Sequence, residues 1–158
     1  ARAMDDSISG TPEEMAETLS RMGINLNFAP VVDLNVNPEN PIIGRLKRSY
    51  GSDPETVVRH AKAFIRAHHE NHVLCTLKHF PGHGSAAGDT HMQTVDITAT
   101  WSESELIPYR ELIRTGYIDA VMTAHLSHQS YDTLFPVTLS LPAVTGILRN
   151  QLGYCVHL

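Results

Sequence analysis

The chain has 158 residues, 42% of them apolar and 18% charged, with a formal net charge of -5. This is the length of one ordinary domain, and the composition indicates a globular chain. Lys and Arg are scattered, so the sequence predicts no nucleic-acid surface. Apolar runs are shorter than the roughly 18 residues of a membrane span, and the first residues lack signal-peptide regions, so we expect a cytoplasmic protein.

The first half alternates helix and strand patterns. The segment 11–14 (TPEE) is a capping box with Pro at the first helical position, and it predicts a helix that ends at Gly23. Apolar residues alternate with small or polar ones over 24–32, which predicts a strand. Asp53-Pro54 begins a second helix with one apolar face, and the run 73–77 (VLCTL) predicts a buried strand.

The second half repeats this alternation. We interpret 102–105 (SESE) as a second capping box, which begins a helix that ends near Gly116. The segment 118–126 (IDAVMTAHL) predicts a third strand. A last helix is predicted from about Pro142 to Leu152, and the residues 155–158 after it resemble the start of a fourth strand.

The connecting segments indicate the fold class. Links from helix to strand are short, whereas those from strand to helix run to roughly twenty residues. Long loops at the carboxyl ends of parallel strands are typical of a catalytic face, in a (β/α)8 barrel or an open doubly wound sheet. No dinucleotide glycine fingerprint follows a strand, which favours the barrel. We predict an α/β fold with parallel strands and alternating helices, a partial TIM barrel of about three βα units plus a stub, whose open edges favour self-association.

The segment from Lys78 to His91 (KHFPGHGSAAGDTH) concentrates polar chemistry in a Gly-rich loop after a predicted strand. Asp89 and His91 are two residues apart, a spacing that allows a carboxylate to orient an imidazole for proton transfer. The alternative is an Asp that caps a turn beside an exposed His. The sequence alone leaves both interpretations open.

Lys78 and His79 end an otherwise apolar strand, so their polar groups need solvent or a partner. A pocket at the strand end would provide this, or Lys78 extends to the surface while His79 is bonded in the core. A third hypothesis is a zinc ion bound by His79, His83 and His91 or Asp89, although the spacing matches no tight metal signature.

Other candidates have ordinary structural explanations. His68, His69 and His72 lie at a predicted helix end, where we expect solvated caps. Trp101 precedes a helix and is expected to pack, and His125 at the end of the third strand is a secondary candidate for the site. Cys75 and Cys155 form no CxxC pair, and both are expected to be buried free thiols.

Several motifs occur in an order that resembles a known family. They are FAPVVD at 28–33, RSYGSDPE at 48–55, KHFPGHG at 78–84 with its Asp-x-His pair, MTAH at 122–125 and PVTLS at 136–140. This set resembles bacterial β-N-acetylglucosaminidases of glycoside hydrolase family 3. The resemblance implies that 1–158 is a single fragment of the N-terminal catalytic barrel. It also implies a glycosidase of peptidoglycan recycling, which removes terminal N-acetylglucosamine with retention and without a cofactor or metal.

The resemblance also assigns site residues by position. His91 would be the general acid/base and Asp89 its orienting partner, which departs from the usual pair of carboxylates. Lys78 and His79 match residues that bind sugar hydroxyls, and Arg48 matches the sugar-binding Arg. About two extra residues precede Arg48 relative to the family pattern, so Arg45 is a competing candidate for that role.

One departure affects the expected activity. The nucleophile of the family is an Asp beyond Leu158, so we expect the chain alone to be inactive and to be an internal piece of an enzyme. The alternatives are a family 3 β-glucosidase-like enzyme and a non-catalytic sugar-binding or assembly module produced by truncation.

Overall fold

The computed structural model describes residues 10–92, 94–116 and 118–155. Within them, five strands form two parallel sheets: β1 (Leu26–Asn27), β2 (Leu74–Phe80), β3 (Val95–Asp96), β4 (Ala120–Thr123) and β5 (Leu126–Ser127). The larger sheet has the order β1-β2-β4, and the smaller one pairs β3 with β5. The predicted α/β class with parallel strands and alternating helices is confirmed.

The helices lie between these strands. They are α1 (Pro12–Arg21), α2 (Pro54–Glu70), α3 (Ile107–Ile113), two 3-10 helices (Glu103–Leu106 and Val137–Leu139) and a π-helix (Pro142–Gln151). Helix α2 packs against both α1 and α3. In the described ranges, no helix combines the length and the apolar character needed to cross a membrane.

The two predicted helix starts in the first half are confirmed by their caps. The backbone N–H of Glu14 donates to Thr11 Oγ1 at 3.2 Å, and the N–H of Thr11 donates to Glu14 Oε2 at 2.7 Å, which completes the capping box. At α2, Asp53 Oδ2 accepts from the N–H of Thr56 at 2.8 Å. These caps satisfy amides that a helix N-terminus leaves unpaired.

The second predicted capping box is wrong. Ser102 makes no side-chain cap, and its Oγ lies 2.7 Å from Ser104 Oγ instead. Glu105, which would close the box, is only 1% exposed and accepts from the N–H of Gly84 at 2.9 Å. A tertiary contact has therefore replaced the local one that the sequence pattern predicts.

The main hydrophobic core lies between the larger sheet and the helices. Phe80 at the end of β2 meets Tyr109 of α3 edge to face, with ring centroids 5.5 Å apart and both residues 0% exposed. Burying a side chain of this size contributes about 1.5–3 kcal/mol. The predicted apolar face of α2 is buried against the same core through Val57, Ala61, Phe64 and Ile65.

His68 belongs to that buried face, so the prediction of a solvated cap is wrong for it. Its ring stacks on Phe64, its Nδ1 lies 2.9 Å from the carbonyl oxygen of Phe64, and its Nε2 lies 3.0 Å from Asn27 Nδ2. Since the Asn27 amide nitrogen is a donor, Nε2 accepts and Nδ1 carries the proton. Burial lowers the pKa of His68, which favours this neutral form.

Exposure differs from prediction at further positions. His69 is half-buried and pairs with Asp119 at 2.7 Å, whereas His72 is exposed as predicted. Cys75 is buried, but Cys155 is exposed, so the prediction of two buried thiols is wrong for Cys155.

Among the described residues, the larger sheet ends at β1 and β4, as expected of a partial barrel. The fourth strand was predicted at 155–158, of which 156–158 lie outside the described residues. Leu26 and Leu74 pair in register, yet they are 37% and 48% exposed, and Phe28 beside them is 59% exposed. Apolar side chains next to an unpaired strand edge form a surface that other strands can cover.

Tyr109→Phe is predicted to preserve or increase stability. The hydroxyl of Tyr109 is buried and lacks a hydrogen-bond partner within the described ranges, and an unpaired buried polar group costs about 1–3 kcal/mol. The control is Tyr154→Phe, because that hydroxyl donates to the carbonyl oxygen of Asp119 at 3.3 Å and its loss should destabilise. Urea unfolding of the complete protein measures both; an equal loss of stability in the two variants would contradict the prediction.

Candidate active site

A buried carboxylate organises the carboxyl end of β2. Asp33 is 0% exposed, and its Oδ2 lies 2.7 Å from Nδ1 of His79. Its Oδ1 accepts from the backbone N–H of His79 at 3.1 Å and from that of His83 at 2.7 Å. One side chain therefore fixes both the end of the strand and the turn that follows it.

The charge of Asp33 is stabilised by these same donors. Burial alone would raise the pKa of the carboxyl, but the His79 ring and the amides of His79 and His83 outweigh it, so the pKa lies below its ordinary value. The sequence patterns gave Asp33 no role, although it ends the FAPVVD motif. A carboxylate directly after an apolar strand was the signal that could have identified it.

The turn after β2 is packed against its surroundings. Residues 81–86 are all buried, and a Cβ added to Gly84 would lie 1.7 Å from the carbonyl oxygen of Leu34. At Gly82, where φ is +120°, an added Cβ would lie 2.5 Å from the Cβ of Glu105. Only glycine fits at these two positions, which explains the Gly-rich character of the loop.

His83 connects this turn to the outer part of the loop. Its Nε2 lies 3.3 Å from Thr90 Oγ1, and its ring stands edge-on to that of His79 at 6.0 Å. Burial lowers the pKa of His83, and the charges of Asp33 and Asp89 partly oppose this. The imidazole is thus a neutral structural link between the buried and exposed parts of the loop.

Asp89 and His91 lie in the exposed part of the loop. The backbone N–H of His91 donates to Asp89 Oδ1 at 2.8 Å, which is the turn-capping geometry of the second interpretation. Within the described residues, no hydrogen bond joins the carboxylate to the His91 ring. The ring nevertheless lines a cavity of about 710 Å³, so the catalytic dyad stays a prediction.

That cavity is lined by the outer part of the loop after β2, at Thr90 to Met92, and by the segment after β4, whereas Arg48, Lys78 and His79 do not line it. His125, which follows β4, also lines it, and His125 Nδ1 lies 2.7 Å from Thr138 Oγ1. Much of the opposite wall comes from 132–139, where Leu134 is 82% exposed. The cavity therefore combines imidazoles with apolar surface, a mixture typical of ligand sites.

Arg48 and Lys78 lie close enough to affect each other. Arg48 Nη1 donates to the carbonyl oxygen of Ile42 at 3.0 Å. Burial lowers the pKa of Lys78, and the positive charge of Arg48 lowers it further. The competing candidate, Arg45, is at the surface and forms a salt bridge to Glu39 at 2.9 Å. The geometry therefore favours Arg48 as the cation near the strand end.

The zinc hypothesis receives no support from this geometry. Among residues 10–92, 94–116 and 118–155, no three side chains of His, Cys, Asp or Glu converge as metal ligands would. His79 and His83 are used by Asp33 and Thr90 instead. Trp101, as predicted, is a packing residue: its Nε1 donates to the carbonyl oxygen of Pro81 at 3.1 Å.

Comparison with known proteins identifies the family. The model of the glycosyl hydrolase family 3 N-terminal domain matches residues 2–155. The chain belongs to this family. Its fold agrees, since a family 3 β-N-acetylglucosaminidase from Paenibacillus sp. superposes with a TM-score of 0.84 at 40% identity, over 90% of this chain and 27% of that one. The resemblance inferred from the motifs is confirmed.

Other relatives carry related names. A β-hexosaminidase from Tolumonas auensis is 40% identical over 89% of this chain and 41% of its own length. NagZ from Neisseria gonorrhoeae has a TM-score of 0.82 at 34% identity, over 90% of this chain and 41% of that one. β-Hexosaminidase A from Pseudoalteromonas piscicida is 35% identical over 89% of this chain and 25% of its own length. The glycosyl hydrolase family 3 chain thus spans less than half of these relatives.

Asp33→Asn is predicted to destabilise this family 3 domain by about 3–5 kcal/mol, the range for breaking a buried charge pair. The pKa of Asp33 is lowered in the folded state, so its stabilising effect is present above its ordinary value of 3.8 and is lost as the pH falls. Urea unfolding at pH 7 and at pH 3 measures this difference.

The control for this prediction is Asp53→Asn. Asp53 caps α2 and is exposed, and Asn caps helices about as well as Asp. We expect its free energy of unfolding to change little. Equal effects at Asp33 and Asp53 would show that the buried carboxylate has no special role.

Proposed function

We propose that the complete protein is a family 3 β-N-acetylglucosaminidase that removes terminal N-acetylglucosamine from cell-wall fragments or related glycosides, with retention of configuration. The observation that carries the proposal is that His91 lines a cavity of about 710 Å³ in a chain that belongs to family 3. This volume is within the usual range for small-molecule sites. The β-hexosaminidase names of several relatives support the choice of sugar.

In this proposal His91 protonates the departing oxygen and then deprotonates water, and Asp89 stabilises the charged imidazole. The Asp89 carboxylate accepts a hydrogen bond from the backbone N–H of His91. It is therefore held next to the residue whose ring it would orient. Catalytic hydrogen bonds often close fully only with substrate bound. No nucleophile is assigned among the described residues.

Arg48, Lys78 and His79 are proposed to bind the sugar. Two neighbouring cations, Arg48 and Lys78, offer charge-assisted donors to the hydroxyl and carbonyl oxygens of a neutral sugar. His79 is held by Asp33 through Nδ1, which leaves its other ring nitrogen for substrate. The surface salt bridge of Arg45 supports the assignment of this role to Arg48.

The remaining expectations belong to the same proposal. The chain would be one fragment of the N-terminal barrel, and the protein would act in the cytoplasm in peptidoglycan recycling. The exposed apolar side chains beside β1, Leu26 and Phe28 among them, support association of the open edge, either with the rest of the barrel or with a second copy.

His91→Ala and Asp89→Ala are each predicted to reduce the turnover of the complete protein by about 10²–10⁴-fold, because general acid/base catalysis contributes this much. Substrates with activated leaving groups need less protonation, so their rates should fall less. Steady-state kinetics on a series of aryl β-N-acetylglucosaminides measures this dependence.

His125→Ala is the matched control, because His125 lines the same cavity. It should lower turnover without any dependence on the leaving group. If His91→Ala slows good and poor leaving groups equally, or His125→Ala alone shows the dependence, His91 is not the acid.

The sugar specificity gives a separate prediction. The complete protein should hydrolyse nitrophenyl β-N-acetylglucosaminide with a higher kcat/KM than nitrophenyl β-glucoside, as a site built around the N-acetyl group implies. Initial rates with the two substrates measure this. A preference for the glucoside would favour the β-glucosidase-like alternative, and binding of N-acetylglucosamine without turnover would favour a non-catalytic module.

A further inference from the structure

Glu105 is a buried acid that the proposed mechanism does not use. It lies in the 3-10 helix Glu103–Leu106, is 1% exposed and directs its carboxylate at the turn after β2. Its Oε2 accepts from the backbone N–H of Gly84 at 2.9 Å. Its Oε1 is buried and has no hydrogen-bond partner within the described ranges.

The contact between Glu105 and the turn is steric as well as polar. The Cβ of Glu105 occupies the space that a side chain at Gly82 would need, at 2.5 Å. A side chain at Gly84 would collide with the carbonyl oxygen of Leu34. The backbone of this turn therefore cannot shift without displacing Glu105.

A second carboxylate holds the neighbouring amide. Asp33 accepts from the N–H of His83 at 2.7 Å, and Glu105 accepts from the next amide along the chain, that of Gly84. Two buried acids from different elements thus clamp consecutive backbone groups. Along the chain, Asp89 lies five residues and His91 seven residues beyond Gly84.

We propose that Glu105 is a positioning residue which, through the N–H of Gly84, fixes the base of the loop that carries Asp89 and His91. The proposal rests on the proposed function of His91. Glu105 does not touch the substrate. It acts through the loop backbone, because a carboxylate accepts a hydrogen bond from an amide more strongly than a neutral group does.

The charge of Glu105 responds to pH. Burial is the main cause that raises its pKa to about 7; the Asp33 charge adds to the rise, and the hydrogen bond from the Gly84 amide opposes it. Two tyrosines also face the carboxylate, Tyr109 from α3 and Tyr131 from the loop after β5, and both have raised pKa values. Both stay neutral in this range, so neither tyrosine adds a charge beside Glu105 as it ionises.

Ionisation of Glu105 is expected to have opposite effects on the positioning of the loop and on the stability of the fold. As the pH rises through about 7, Glu105 ionises and accepts more strongly from Gly84, which tightens the clamp. Its pKa is raised from 4.5, so its contribution to stability is complete below that value and is lost as the pH rises through the folded pKa. Activity that rises while stability falls is not expected of a merely structural residue.

The test compares Glu105→Gln with Glu103→Gln in the complete protein. Glu103 lies in the same 3-10 helix but is exposed. In Glu105→Gln, kcat should fall by on the order of tenfold to a hundredfold, as small misplacements of catalytic groups do, with little change in KM. The increase of kcat as the pH rises through about 7 should disappear in this variant. The Gly84 amide should also exchange with deuterium faster than in the wild type. Glu103→Gln should match the wild type in all three measurements.

The outcomes separate this proposal from the proposed function. If the wild type hydrolyses no β-glycoside, the proposed function fails, and Gly84 exchange alone decides whether Glu105 holds the loop. If the wild type is active and Glu105→Gln matches Glu103→Gln, the positioning role is overturned. If Glu105→Gln does not fold, the wild type alone decides. Exchange of the Gly84 amide, relative to its intrinsic rate at each pH, should slow as the pH rises through about 7, and protection that does not change over this range overturns the proposal.

Discussion

The site depends on one buried charge. Asp33 has no solvent contact, so its carboxylate is stable only because the His79 ring and the amides of His79 and His83 replace water. Those donors come from both sides of the point where β2 ends. The end of the strand, the direction of His79 and the start of the loop that follows are therefore fixed by the same set of hydrogen bonds, and none can change without leaving the charge unpaired.

This constraint divides the loop into two parts. Residues 81–86 are buried and held by Asp33 and Glu105, whereas 87–92 are half-buried or exposed. A rigid base with an accessible tip suits the acid/base role proposed for His91, which requires contact with a leaving oxygen and with water. The packed glycines Gly82 and Gly84 make the base rigid, so the freedom of His91 begins beyond them.

Sequence patterns predicted those features that depend on local order. Apolar runs located β1, β2 and β4 but not β3, and the pattern Thr11-x-x-Glu14 gave a real capping box. The same kind of pattern failed at Ser102-x-x-Glu105, because the carboxylate found a buried amide elsewhere in the fold. The spacing Ser-x-x-Glu is the same whether the Glu closes a capping box or makes a tertiary contact. Here the packing of the turn against Glu105 decides between the two.

The same limit applies to the histidines and carboxylates of the site. Motifs along the chain located the loop and the cavity residue His91, but they gave no role to Asp33, because a buried acid is defined by donors that are 46 and 50 residues away. The same contacts make His79 structural at Nδ1, which bonds Asp33, and tie His83 to Asp33 through its backbone N–H. A polar cluster in sequence thus indicates where chemistry lies, whereas burial shows which of its groups hold the backbone. In the loop after β2, the change from buried to accessible residues falls between Ala86 and Ala87.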